Sequence, residues 1–201
     1  MKALGHDTFF LLGHDRGGRV SHRLAMDFPT SVKKLMVLDI SPTLAMYENT
    51  TMEFAKGYWH WFFLIQPEPV PETMIGANPE FWLKNHMGRH AGTGIFSPDR
   101  WAEYLAGASN VESMHAMCED YRAAASIDLD HDRLDRNQGH ELQMPLRVLW
   151  GEHGLVNKCF KPLEDWRRVA TEVTGKSAPC GHYIPEEMPE IVISEAREFF
   201  V

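Results

Sequence analysis

A five-residue turn, Gly13-His14-Asp15-Arg16-Gly17, constrains this chain more than any other feature. The apolar run Phe9-Phe10-Leu11-Leu12 precedes it, and from Arg19 to Phe28 a segment follows with Val20, Leu24 and Phe28 four residues apart. The run reads as a strand buried on both faces, the segment as a helix ended by Pro29. A strand that enters a helix through so short a turn must bend sharply. Its central residue then takes strained φ/ψ angles, and the residues flanking it have to be small. The N-terminus of the helix points back at residue 15, where backbone N–H groups and the helix dipole favour an anion. The carboxylate of Asp15 suits that place. The turn alone is equally compatible with an aspartate that only caps the helix, so the rest of the chain has to separate the two readings.

Leu35 to Ile40 forms a second apolar run, closed by Ser41-Pro42. Strand, helix and strand within so short a span make a βαβ unit, hence a parallel sheet. From Leu44 to about His140 no strand-like run occurs, only aromatic helical segments broken by "QPEPVPE", "GANPE" and "FSPD". Sheet chemistry resumes at "LRVLWGE" after Pro145, followed by a helix from Leu163 to Ala170, a short strand, "CGHYIPEEMPE" and a last helix from Pro185 to Phe200. The expected fold class is α/β: a discontinuous core over residues 1–43 and 141–201, with an inserted helical cap over 44–140.

The net charge of −8 over 201 residues excludes a basic stripe of the kind that nucleic-acid binding requires. The richest apolar run, Tyr58 to Ile65, is too short to span a bilayer and contains His60. No apolar leader follows Met1-Lys2, and Cys118, Cys159 and Cys180 show no paired spacing. The expected setting is therefore a reducing cytoplasm with free thiols.

An attacking residue on such a turn needs a late histidine as base and a second acid to orient it. His182 in "CGHY" stands on the loop before the last helix, where that base belongs. The orienting acid has two candidates. Enzymes of this kind often carry it after the strand that follows the cap, in a pattern like Trp-Gly-x-x-Asp. Here that stretch is Trp150-Gly151-Glu152-His153-Gly154, with glycine in the acidic position and Glu152 too early. Asp39, at the end of the second strand, is the preferred alternative.

A carboxylate nucleophile points to displacement at a saturated carbon. Attack on a carbon bearing a leaving group gives an ester on Asp15, and water deprotonated by His182 can then cleave that ester. Halides and epoxides both fit. Arg16 and Arg19 favour a substrate with its own carboxylate, since a guanidinium beside Asp15 only lowers its nucleophilicity towards a neutral molecule.

The motifs "GHDRGGRVSHRLAMDFP", "VLDISPT", "YWHWFF", "CEDYRAAA" and "CGHYIPEE" resemble the fluoroacetate (haloacetate) dehalogenases of the α/β-hydrolase superfamily along essentially the whole chain. The resemblance implies Asp15 as nucleophile, His182 as base and Asp39 as its orienting acid. It also implies Arg16 and Arg19 as the carboxylate clamp, and His60, Trp61 and Tyr121 as donors to the departing halide. It implies a small haloacid as the substrate partner and a homodimer; with no G-x-G-x-x-G or Walker pattern no cofactor is expected, and charge and run length lead to no nucleic-acid or membrane partner. Three uncharged donors make physical sense for fluoride, a small and strongly hydrated anion. An epoxide hydrolase with the same aspartate turn, and a non-catalytic fragment that binds small carboxylates, are the competing readings.

No metal is expected. "DLDHD" at 128–132 starts like a calcium loop, but it has Arg133 and Gly139 where glycine and glutamate are required. His86 and His90 have zinc-pair spacing without the accompanying glutamate, and Gly88 is expected to break the helix between them. Family members place several strands before the elbow, so an elbow at residue 15 leads to the expectation of a shortened chain with weak activity. The same expectation makes the elbow strand an open apolar edge, prone to aggregation or to docking a partner.

Overall fold

The protein was analysed as a computed structural model that describes residues 1–91 and 93–201, without the side chains of 88–93. Four strands, β1 (Phe9–His14), β2 (Val32–Leu38), β3 (Leu146–Gly151) and β4 (Val173–Ala178), form one parallel sheet in sequence order among the described residues. Between β1 and β2 lies α1 (Arg16–Asp27). Between β2 and β3 lie α2 (Thr43–Glu48), α3 (Met52–Gly57), α4 (His60–Leu64), α5 (Val70–Ala77), α6 (Pro79–Ala91), α7 (Pro98–Ser109), α8 (Val111–Ala124) and α9 (Ile127–Gln138). The chain continues through α10 (Leu155–Cys159) and α11 (Pro162–Trp166) to β4, then α12 (Ile184–Glu187) and α13 (Pro189–Phe199).

Alternation along the strands explains the layering. Met36, Leu38, Leu149 and Ala178 pack with Ile184 and Phe199 beneath α13, while the fully buried Leu35 and Val37 point to the other face. The expected last helix is broken at Met188, because Pro189 disfavours helical φ/ψ in the residue before it. Gly88 does not interrupt α6, which runs through it. The rejected calcium loop is helical in α9, and His90 lies outside the described side chains.

Two compact units result: Met1–Asn49 with Asp130–Val201, and Thr50–Leu129. The boundaries expected at 43/44 and 140/141 shift because α2 is tied into the first unit. Arg19 of α1 donates to Thr43 Oγ1 at 2.8 Å, Arg136 pairs with Glu48 at 2.9 Å, and the Leu44 N–H donates to Asp132 at 3.2 Å. In the second unit Phe54, Trp61 and Leu64 are buried, Phe54 meeting the Trp61 ring edge-on at 5.2 Å.

One expectation about burial fails: β1, at one edge of the sheet among the described residues, is not buried on both faces, since Phe10 and Leu12 are exposed. Val20 and Phe28, whose spacing marks α1 as a helix, are exposed. The buried face is Gly18, Arg19, Ser21, His22 and Ala25, small or polar residues that let the helix approach closely and deliver Arg19 inward.

Candidate active site

In a parallel sheet the C-terminal ends of the strands share one edge, and loops leaving that edge converge. Three such exits carry Asp15 after β1, Asp39 after β2 and His182 after β4. Asp15 sits at the corner with φ 48° and ψ −116°, and its side chain keeps 31% exposure. A side chain at Gly13 would run into the Gly17 carbonyl and lie 2.5 Å from Ser21 Oγ, and one at Gly18 would lie 2.8 Å from Ile40 Cγ2. A Cβ at Gly17 would meet nothing within 4 Å. The steric demand of the turn therefore falls on Gly13 and Gly18, not on both elbow glycines.

Asp39 is completely buried and held in the left-handed region at φ 47°. Its Oδ1 accepts the Gly151 N–H at 2.8 Å, and its Oδ2 lies 2.6 Å from His182 Nδ1. On the far side of the ring, His182 Nε2 lies 3.7 Å from Asp15 Oδ2. The structure thus brings Asp15, His182 and Asp39 into one line, while Glu152 is exposed. A Cβ at Gly154 would sit 3.5 Å from both Asp39 oxygens. An acid at 154 would press a second carboxylate against Asp39, so Gly154 is the residue compatible with an acid at 39.

Burial works against the His182 imidazolium, but the Asp15 and Asp39 carboxylates outweigh it and raise the group from 6.5 to about 10. Burial likewise works against the Asp15 anion, yet pairing with His182 holds its carboxyl well below 3.8. His14, to which the sequence assigns no role, is half-buried beside them. Burial and the charge of His182 lower its pKa, so it stays neutral at pH 7, and its Nε2–H donates to the His182 carbonyl oxygen at 2.8 Å.

Arg19 is buried, donating to Thr43 Oγ1 at 2.8 Å and to Met46 Sδ at 3.1 Å, and its charge bears on Asp15. Arg16 is half-buried. Both guanidiniums bear on Tyr47, whose hydroxyl burial pushes up and so keeps neutral. A tyrosine in a helical stretch carries no sequence signal for such a place.

Within the unit Thr50–Leu129, His60, Trp61 and Tyr121 are buried together. The Tyr121 ring lies 5.9 Å from that of His60 and 6.4 Å from that of Trp61. The His86 ring meets His60 edge-on at 4.3 Å. Among the described residues, no group of three His, Cys, Asp or Glu side chains is gathered as a metal site, and no helix is long and apolar enough to cross a membrane.

Residues 1–189 match the model of the alpha/beta hydrolase fold family. The chain is 38% identical over 201 residues to a fluoroacetate dehalogenase from Burkholderia sp., covering 99% of this chain and 66% of that protein. It is 29% identical over 202 residues to a soluble epoxide hydrolase from Corynebacterium sp. (strain C12), covering 98% of this chain and 68% of the other. A crystal structure of an alpha/beta hydrolase from Nostoc sp. PCC 7120 superposes with a TM-score of 0.96 at 48% identity, covering 100% of this chain and 69% of that one. The chain thus spans about two-thirds of the length of these relatives.

Proposed function

This chain belongs to the alpha/beta hydrolase fold family, and from that premise we propose that its site hydrolyses the carbon–halogen bond of a small 2-haloacid such as fluoroacetate or chloroacetate. One observation carries the reading: a histidine held between two carboxylates, with the partly exposed one on the elbow turn beside two arginines.

An Asp15 oxygen attacks the saturated carbon, the carbon–halogen bond breaks, and halide leaves with the bonding electrons. The product is an ester of Asp15. Arg16 and Arg19 supply the fork for the substrate carboxylate. The resemblance to the haloacetate dehalogenases assigns the departing halide to His60, Trp61 and Tyr121, uncharged N–H and O–H donors buried together in the unit Thr50–Leu129. Water then gives a proton to His182 Nε2 and attacks the ester carbonyl. Collapse breaks the bond to the substrate oxygen, which takes the proton back from His182 and leaves as the hydroxyl of the 2-hydroxy acid, and the Asp15 carboxylate is restored.

The electrostatics make this order coherent. In the resting site both carboxylates favour imidazolium, so His182 is charged at neutral pH. Once Asp15 is esterified, one of those negative charges is gone, and His182 gives up its proton just when a base is required.

A single turnover in ¹⁸O-water tests the reading. Label should enter the Asp15 carboxylate, because water attacks the ester carbonyl rather than the substrate carbon. Halide release measured by electrode, with label on Asp15, supports the proposal. Turnover that leaves Asp15 unlabelled refutes the ester route. The second reading, an epoxide hydrolase, is favoured by the identity with the Corynebacterium enzyme and by the buried phenol of Tyr121. Opening of epoxides without halide release from haloacids would establish it in place of the first.

A further inference from the structure

The base-bearing turn is gripped by its backbone from two sides. The carbonyl of His182 accepts from His14 Nε2 at 2.8 Å, which ties the turn to the residue immediately before the nucleophile. The N–H groups on either side of His182 both go to one carboxylate. Gly181 N–H donates to Glu187 Oε2 at 2.8 Å, and Tyr183 N–H donates to Glu187 Oε1 at 3.0 Å. Both oxygens of Glu187 are used, each in a charge-assisted bond, at the first turn of α12. Beneath the turn, a side chain at Gly151 would collide with the Gly181 carbonyl, so the end of β3 is its floor.

We propose that His14 and Glu187 are positioning residues which hold the turn 181–183 by its peptide groups, and so set where Nε2 of His182 points. The aim of an imidazole depends on the position of its Cα and on its χ angles. The 2.6 Å bond to Asp39 fixes the ring from the Nδ1 side only. Without the grip, the ring could follow Asp39 while its Cα moved, and the gap between Nε2 and Asp15 would no longer be set. Peptide groups held by a charged carboxylate and a half-buried imidazole move far less than peptide groups held by water. A shift of about 1 Å in such a group costs on the order of 10²-fold in rate.

The two residues act from different elements, one on β1 and one on α12. The His14 ring also packs against that of His182, 4.9 Å between centroids, a contact that a phenylalanine at 14 would keep. Neither effect requires a change in substrate binding, so the loss should fall on ester hydrolysis, the step in which His182 takes a proton. This expectation rests on the haloacid reading, but the grip itself does not.

The test compares isosteric and donor-preserving variants. His14→Phe keeps a ring without the N–H, and His14→Gln places an amide N–H near the same point. Glu187→Gln keeps one acceptor oxygen, and Glu187→Ala keeps none. With chloroacetate, His14→Phe and Glu187→Ala should slow ester hydrolysis about 10–10²-fold. The Asp15 ester should then accumulate, visible as a mass increase on the peptide containing Asp15, with kcat and KM falling together and kcat/KM little changed. His14→Gln should recover most of the rate and Glu187→Gln part of it.

Without substrate, the low-field proton signal of the His182–Asp39 hydrogen bond should broaden in the Phe and Ala variants and persist in the Gln variants. Equal ester hydrolysis and an unchanged signal in all four variants would overturn the proposal. So would equal losses in His14→Phe and His14→Gln, since donor identity would then be irrelevant. If the wild-type protein forms no ester, the haloacid reading fails, and the proton signal alone decides the grip.

Discussion

Replacing Asp15 by Asn removes one of the two negative charges beside His182 while keeping the shape of the side chain. The Nε2 to Oδ2 separation is 3.7 Å. At an effective dielectric constant of about 20, a unit charge at that distance contributes about 4 kcal/mol, or about 3 pKa units. Asp15 retains 31% exposure, so solvent screens part of this and a drop of about 1–3 units is expected. His182, raised to about 10 in the wild type, should then titrate roughly between 7 and 9 in the variant. The Asn side chain is also a mimic of the neutral ester, so the shifted value approximates that of the base in its working state.

The assay is a proton NMR titration of the imidazole Cε1–H, with His182→Asn identifying the signal. Stability gives the matching readout. A group raised by its partners contributes stability that is complete below its unfolded value, near 6.5, and lost as pH rises through about 10. The wild type should therefore hold its largest advantage over Asp15→Asn near neutral pH and lose it in alkaline solution. On the acid side the advantage should fade below 3.8, as Asp15, whose pKa is lowered, takes up its proton. An identical His182 midpoint in the two proteins would refute the charge argument and the timing of base release built on it.

Asp39→Asn should leave ester formation on Asp15 largely intact and slow its hydrolysis by about 10²–10⁴-fold, read as ester accumulation by mass spectrometry. Gly151→Ala should cost about 2–4 kcal/mol or prevent folding, because the added methyl collides with the Gly181 carbonyl. Gly17→Ala, which meets nothing within 4 Å, should stay within about 0.5 kcal/mol or gain stability, and thermal melts of the pair distinguish the two sites. A thiol reagent at pH 8 should modify Cys159 in the native protein and spare Cys118 and Cys180. Those two are buried, and burial pushes them up to about 11 and about 12. Denaturation should then expose all three.

The sequence by itself determined the elements whose causes are local. The elbow is legible because a strand-to-helix corner has few steric solutions, and the spacing from Asp15 to His182 follows from strand order. Other features needed the third dimension. The spacing of Val20, Leu24 and Phe28 marks α1 as a helix but not which face it buries: Gly18, Arg19 and Ser21 are buried, because close approach and delivery of a guanidinium outweigh apolar area at that face. Glycine at 154 already favoured Asp39 over Glu152 in the sequence, but the bond that ties Asp39 to His182, 143 residues away, belongs to the tertiary structure. Gly17 looks as obligatory as Gly13 in the motif, and only the atoms above it reveal open space. The roles of His14 and Glu187 had no signature at all. His14 bonds a peptide group 168 residues away, and backbone carbonyls and N–H groups are the same in every residue, so no pattern of side chains announces which of them will be gripped.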